Sequence, residues 1–191
     1  PTLTKKASLD EIAVWQIARD HSGSLYLATG NRARVERLTA HGQRLTVFDG
    51  EAGEVLCIAA DAQGNIYFGT TPDGKVYRYR PNGAATPIAD LDAIYVFSLL
   101  PAPDASVLCA TGDKGKLYRI PLIGSAQSLF SASQANLTAL AWFAPGQELL
   151  VGTAPDGLVY RLSFTRLGAS VRKATFYDTP LEEVRAIAVE N

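Results

Sequence analysis

Three side chains with carboxylate or amide oxygens occupy the same position in three copies of a repeated sequence, and they are the first candidates for chemistry. They are Glu54, Asn136 and Glu183. Carboxylate and amide oxygens are ligands for hard divalent cations, which a metal-assisted reaction would use. Two carboxylates and one amide are few for a cation that prefers six or more oxygens. The set therefore favours ligand binding, and we predict neither a metal site nor a cofactor.

Different side chains occupy this position in the remaining copies. The side chains at the hairpin tips predicted beside it also differ from copy to copy. These residues are Ala13, Tyr95, Arg32, Asp73, Lys114 and Asp156. Side chains that vary on a repeated scaffold are how such folds build binding sites. We therefore predict a ligand-binding rim that consists of Glu54, Tyr95, Asn136, Glu183, Asp73 and Asp156.

Sequence motifs of the commoner catalytic centres are missing. The chain has no glycine-rich phosphate loop, no G-x-S-x-G turn and no C-x-x-C pair. Its two histidines, His21 and His41, fall in turn-like stretches of one copy, where exposed turn residues are expected. Cys57 and Cys109 lie in apolar strand-like runs, which predicts two free buried thiols rather than a disulfide.

A sequence repeat with four copies explains the spacing of these residues. A threonine and an arginine recur in register, at Thr29, Thr70, Thr111 and Thr153, and at Arg37, Arg78, Arg119 and Arg161. Self-similarity with a period of about 41 residues indicates a repeat architecture. We expect the threonine to bond the backbone at a hairpin base and the arginine to pair or stack on the outer strands.

Each copy divides into four short apolar stretches, strands A to D in chain order. In the second copy these are EVLCIAA, NIYFGT, KVYRYR and ATPIAD, rich in β-branched and aromatic residues. Asp73-Gly74 and Asp156-Gly157 predict tight hairpins, since glycine accepts a positive φ without steric cost. The pattern predicts an all-β protein, a β-propeller with four-stranded antiparallel blades.

The register of the repeat divides the chain into four complete blades and two flanking pieces. We expect blades at about 11–50, 51–91, 92–132 and 133–180, an outer strand over 1–10, and the first strand of a further blade over 181–191. Three arrangements stay open: a piece of a six- to eight-bladed ring, two chains that combine into one ring, or a four- or five-bladed ring that closes irregularly.

The fourth copy is longer than the others between strands C and D. About six extra residues lie within RLSFTRLGASVRKATFYD. They predict either an extended outer hairpin or a docking surface.

Charge and hydropathy exclude two classes of partner. Lys and Arg total 18 against 19 for Asp and Glu, so the chain has no basic excess for nucleic acid or an anionic membrane. No apolar run approaches the roughly 20 residues that span a bilayer.

The stretch VWQIARDHSGSLYLATG, with its echoes IAADAQGNIYFGT and ALAWFAPGQELLVGT, resembles bacterial propeller repeats of the D-x-x-G-N-x-Y-x-G-T type. Such repeats occur in sensor ectodomains of two-component regulators, in NHL-like proteins, and in lactonase-like or streptogramin-lyase-like propellers. The signature dipeptides of WD repeats, the tryptophan-docking repeat of quinoprotein dehydrogenases and the Kelch double glycine are absent. Those activities are therefore not expected.

The resemblance implies a non-catalytic binding or scaffold module, which recognises a protein or a small ligand on the face bearing the D–A and B–C loops. The alternative it implies is a metal-assisted lactonase or lyase with Glu54, Asn136 and Glu183 as ligands. It favours a periplasmic or extracellular location over a cytoplasmic one. We expect self-association, or a further C-terminal part, to complete the ring.

Overall fold

A computed structural model describes residues 13–51, 53–81 and 83–190 of the chain. The regular structure in these ranges consists of sixteen strands, and no helix occurs among them. No described segment is therefore a helix that could cross a membrane.

Four consecutive groups of strands form the four blades. Blade 1 consists of β1 (Val14–Arg19), β2 (Leu25–Thr29), β3 (Arg34–Leu38) and β4 (Arg44–Asp49). Blade 2 consists of β5 (Glu54–Ala60), β6 (Ile66–Thr71), β7 (Lys75–Tyr79) and β8 (Ala85–Asp90). Blade 3 consists of β9 (Val96–Pro101), β10 (Val107–Thr111), β11 (Lys116–Ile120) and β12 (Gln127–Ser131). Blade 4 consists of β13 (Asn136–Ala144), β14 (Glu148–Ala154), β15 (Leu158–Phe164) and β16 (Val171–Asp178).

Each blade is one antiparallel sheet in which the strands pair in chain order, A to B to C to D. Sequential hairpins produce this order because each strand pairs with the one that the preceding turn brings beside it. The predicted fold class, with four complete four-stranded blades, is confirmed.

Adjacent blades are joined through one apolar side chain at the second position of strand A. These side chains are Val55, Val96, Leu137 and Val184, and all four are buried. Val96 and Val184 meet Gly69 and Gly152 of the preceding blade's strand B, and Val55 and Leu137 share a core cluster with Ala28 and Ala110 at the same repeat position. Burying one such side chain contributes about 1.5–3 kcal/mol, so these contacts are a main source of stability between blades.

The recurrent threonine fastens the base of each B–C hairpin. Its Oγ1 donates to the backbone oxygen five residues later, over 3.0 Å from Thr29, 2.9 Å from Thr111 and 3.0 Å from Thr153. Thr70 Oγ1 lies farther from the equivalent oxygen, at 3.4 Å from Lys75 O, because its hydroxyl hydrogen is directed to Asp73 Oδ1 at 2.6 Å. The expected structural role of the threonine is confirmed.

The B–C hairpins contact the D–A connections of the same blades. The Gly115 amide donates to Ala135 O over 2.7 Å, and the Gly157 amide donates to Glu182 O over 3.0 Å. Gly157 has a φ of +53°, and a β-carbon there would lie 1.9 Å from Leu181 O. Both kinds of loop therefore share one face of the molecule.

Residues 181–190 pack on blade 4 without joining a sheet. The strand expected over 181–191 is thus not formed within 181–190. The Val184 amide donates to Thr153 O over 3.1 Å, and its side chain packs on Leu150 and Val159. Among the described residues there is no strand B of the fifth copy, so residues 181–190 have no strand with which to pair. Residue 191 and the outer strand expected over 1–10 lie outside the described residues.

Both cysteines are free and buried, as expected, and they share the core between blades 2 and 3. Burial raises the pKa of the Cys57 thiol to about 12, and burial also raises the pKa of Cys109 well above its usual value. Cys57 Sγ donates to Val96 O over 3.3 Å.

We therefore expect neither thiol to react with a disulfide reagent at pH 8 while the chain is folded, because the reactive thiolate is suppressed and inaccessible. Both should react at once in denaturant. If the folded chain rapidly released one equivalent of chromophore from the disulfide reagent, one of the two thiols would be accessible and the prediction would be wrong.

Candidate functional site

One residue from each blade points towards the axis because strand A is irregular near its start. The pairing of strand A with strand B skips Trp15, Leu56, Phe97 and Thr138 in blades 1 to 4. A bulge of this kind redirects a side chain out of the regular alternation. Together with Arg185, at the same repeat position in 181–190, these side chains line one cavity.

This axial cavity has a volume of about 290 Å³. Its wall combines two aromatic rings, an aliphatic side chain, a hydroxyl and a guanidinium. Trp15 is 51% exposed, so much of its ring is available to a ligand. The side-chain oxygen of Gln16 is not available to a ligand, since Gln16 Oε1 accepts a hydrogen bond from the Ile58 backbone amide over 2.8 Å. The exposed lining of the cavity is mainly polar, so a ligand would meet hydrogen-bonding groups beside the two rings.

Two of the predicted rim residues contact the B–C hairpin of the preceding blade. Asn136 Oδ1 accepts the Asp113 amide over 3.1 Å. A β-carbon on Gly30 would lie 3.1 Å from Glu54 Oε1 and 2.7 Å from Trp15 Nε1. The glycine thus lets Glu54 approach the indole of Trp15. Glu54 and Asn136 occupy blade junctions, and Glu54 lies beside a cavity residue.

Tyr95 forms an aromatic step between the rim and the cavity. Its ring stacks on Phe97 with centroids 5.4 Å apart and planes 9° from parallel. Tyr95 is 40% exposed, and Phe97 lines the cavity. The pair offers a flat surface to a planar ligand.

Asp73 and Asp156 lie on the expected face, but their carboxylates are held within it. Asp73 Oδ1 accepts from Thr70 Oγ1 over 2.6 Å, and Asp73 Oδ2 pairs with Lys75 Nζ at 3.3 Å. Asp156 Oδ2 accepts from Gln134 Nε2 over 3.0 Å. The Asp73 bonds stay within its own hairpin, whereas the Asp156 bond joins a hairpin to a D–A connection, so both aspartates brace the face.

The pKa of Asp73 should report this bracing. Partial burial alone would raise it, but bonds from Thr70 and Lys75 outweigh burial and lower the pKa below its usual value. A depressed folded pKa gives stability that is present above about pH 3.9 and is lost as the pH falls through the folded pKa.

We expect Thr70→Val to raise the pKa of Asp73 in a carbon-13 NMR titration, because one donor is lost. Asp92 is an internal control. Its pKa is lowered by Lys114, and it should not move in this variant. An unchanged pKa of Asp73 would mean that the hydrogen bond from Thr70 is not formed in solution.

Two residues of the ligand set of the alternative function, Asn136 and Glu183, are engaged in other contacts. No three His, Cys, Asp or Glu side chains come together among the described residues. Glu183 Oε2 accepts from Arg185 Nε over 2.9 Å, and Asn136 is bonded to the hairpin of blade 3. Glu183 thus helps to position the arginine of the cavity.

The two histidines lie apart from the rim, in turns at the other end of the strands. A β-carbon on Gly64 would lie 2.8 Å from His21 Cε1, so His21 packs on the A–B turn of blade 2. His41 lines a groove with Thr39 and Gly42.

Comparison with known proteins agrees with the geometry. Residues 49–71 match the family model of the two-component regulator propeller. A streptogramin B lyase structure is 12% identical and superposes with a TM-score of 0.75 over 91% of this chain. The chain is a β-propeller repeat protein. No curated protein sequence is similar enough to this propeller to count as a relative.

Two further structures similar to this propeller are forms of virginiamycin B lyase from Staphylococcus aureus. The selenomethionine form is 12% identical over 89% of this chain, with a TM-score of 0.76. A catalytically inactive form, solved with quinupristin, is 13% identical over 93% of this chain, also with a TM-score of 0.76. The propeller spans 57%, 57% and 61% of the lengths of the three structures. At this identity the likeness establishes the fold alone.

Proposed function

We propose that this propeller is a binding module that recognises a ligand in the axial cavity and on the surrounding rim. The observation that carries the proposal is the bulge in every strand A. In blades 1 to 4 it places a different side chain at the same point, at Trp15, Leu56, Phe97 and Thr138, and Arg185 lines the same cavity at the equivalent repeat position. Side chains needed only for packing would be expected to repeat, as those between the blades do.

The chemistry of the wall suggests the class of ligand. Trp15 and Phe97 suit a flat apolar body, and Tyr95 extends that surface towards solvent. Arg185 is highly exposed and suits an anionic or hydrogen-bond-accepting group, while Thr138 offers one hydroxyl. A small planar ligand, or a peptide loop with an aromatic tip, satisfies these requirements.

Tryptophan fluorescence provides a direct test, because the chain has two tryptophans in different surroundings. Trp15 lines the cavity, whereas Trp142 does not. Trp142 Nε1 donates to Pro101 O over 3.0 Å. The probes are the free aromatic amino acids, a set of oligosaccharides and quinupristin. We expect a saturable change in emission that persists in Trp142→Phe, disappears in Trp15→Phe and weakens in Phe97→Ala.

The metal-assisted lyase or lactonase is the second candidate, because the propellers that resemble this chain in fold include lyases. Incubation of quinupristin with the chain and Mg²⁺ or Ca²⁺ tests it. Consumption of quinupristin that is lost in Glu54→Gln would favour an enzyme. Binding without consumption would favour the module. No response from any probe in the wild type would remove the support for recognition in the cavity.

A further inference from the structure

A second cavity lies between blades 3 and 4, at the end of the strands opposite to the rim. Its volume is about 530 Å³. It is lined by turns and strand ends of both blades, among them Pro103, Asp104, Arg119, Gln127, Arg166 and Leu167. We call it the blade 3–4 groove. The turn that contributes Arg166 and Leu167 belongs to the extra residues of the fourth copy, so the lengthened connection forms one wall.

Cationic and amide groups converge in the groove. Arg119 Nε and Nη2 donate to Asp104 Oδ2 over 3.2 and 2.7 Å, which holds the guanidinium in place. Arg119 Nη1 and Gln127 Oε1 both come within 4 Å of the position that a β-carbon on Gly168 would take. Within the described part of the chain, Arg119 Nη1, the Gln127 amide and the Arg166 guanidinium have no hydrogen-bond partner.

The corresponding arginines of blades 1 and 4 lie over aromatic rings. Arg37 lies over the ring of Tyr26, with its guanidinium carbon 5.7 Å from the centroid. Arg161 pairs with Glu148 and lies 4.7 Å from the centroid of Phe143. Only the groove combines a fixed arginine with a second arginine from a lengthened turn, among the blades described.

We propose that the blade 3–4 groove binds a small carboxylate with an apolar body. Arg119 and Arg166 carry two positive charges against one negative charge on Asp104, so a monoanion balances the site and a dianion is repelled by Asp104. Planar guanidinium groups match a carboxylate in geometry. Pro103 and Leu167 provide apolar contact for the rest of the molecule. This site is independent of the axial cavity.

The test is an NMR titration of the labelled 191-residue chain with benzoate, with neutral benzamide as the matched probe. We expect saturable benzoate shifts at the amides of Leu167, Gly168 and Gly146. Arg166→Gln should weaken binding about three- to tenfold, given the usual worth of an exposed charge-assisted hydrogen bond.

Arg80→Gln is the control variant, since Arg80 is an exposed arginine in the C–D turn of blade 2. It should leave benzoate affinity unchanged, and its spectrum should remain that of the folded chain, as should that of Arg166→Gln. Equal binding of benzamide, tighter binding of inorganic phosphate, or unchanged affinity in Arg166→Gln would each overturn the proposal. Benzoate shifts confined to the axial cavity would also overturn it, while leaving the proposed binding function standing.

Discussion

Replacing Gly69 with alanine is expected to lower the free energy of unfolding by about 1–3 kcal/mol, the usual cost of overpacking a core. A β-carbon on Gly69 would lie 2.3 Å from Val96 Cγ1 and 2.4 Å from Val96 Cβ. Val96 is fully buried between blades 2 and 3, and a β-branched side chain has few alternative rotamers. The blades would have to separate slightly, which weakens every contact across their junction. Denaturant unfolding followed by circular dichroism measures the change.

A double-mutant cycle with Val96→Ala identifies the cause. Val96→Ala alone leaves a cavity, but the smaller side chain also makes room for the new methyl group at position 69. The two substitutions together should therefore cost at least 1 kcal/mol less than the sum of their separate costs. Gly83→Ala is the control at an exposed glycine, and it should change stability by about 0.5 kcal/mol or less. Additive costs in the cycle would mean that Gly69 and Val96 are not in contact.

The repeat made this junction predictable only in part. The equivalent positions of the aligned copies, here called columns, correctly indicate four blades, the hairpins at Gly74 and Gly157, and the role of the threonine. Each of these features depends on residue types that local geometry requires. The columns also contain Gly69 and Val96. Their contact depends on how two blades stack, and no local signal in either blade specifies that stacking.

The candidate site shows a similar limit. Sequence register led to the first position of strand A, with Glu54, Tyr95 and Asn136. The cavity is instead lined by the column two positions later, with Trp15 and Phe97. A regular strand would have turned that column away from the axis, and only the bulge exposes it. The signal available in the sequence was the unusual variety of that column, from tryptophan to arginine.

The hairpin aspartates show what a sequence pattern alone does not reveal. Asp73 and Asp156 are conspicuous in the sequence because they precede glycines at loop tips. Their oxygens are occupied by Thr70, Lys75 and Gln134. A polar residue in a tight turn often satisfies nearby hydrogen-bond donors. We therefore expect Asp73→Asn and Asp156→Asn to affect stability more than ligand affinity.

The largest effect is expected from a pair of equivalent isoleucines with different surroundings. Ile17 and Ile58 occupy the same repeat position in strands β1 and β5. Ile58 is 3% exposed and packs in the core between blades 1 and 2, whereas Ile17 is 55% exposed. Ile58→Asp should cost about 4 kcal/mol or more, because it buries an unpaired carboxylate. Ile17→Asp should cost less than about 1 kcal/mol in the monomeric chain.

This comparison also tests whether the face of β1 is covered in solution. Val14 and Ile17 present the side chains that, in later blades, insert into the preceding blade, and both are exposed here. If Ile17→Asp proves as costly as Ile58→Asp, this face is buried in solution, and a second copy of the chain is the occupant we expect. Light scattering would then give a mass above 20.4 kDa for the wild type and a lower mass for the variant. A small cost, with a mass of 20.4 kDa in both, would mean that the four blades fold without covering β1.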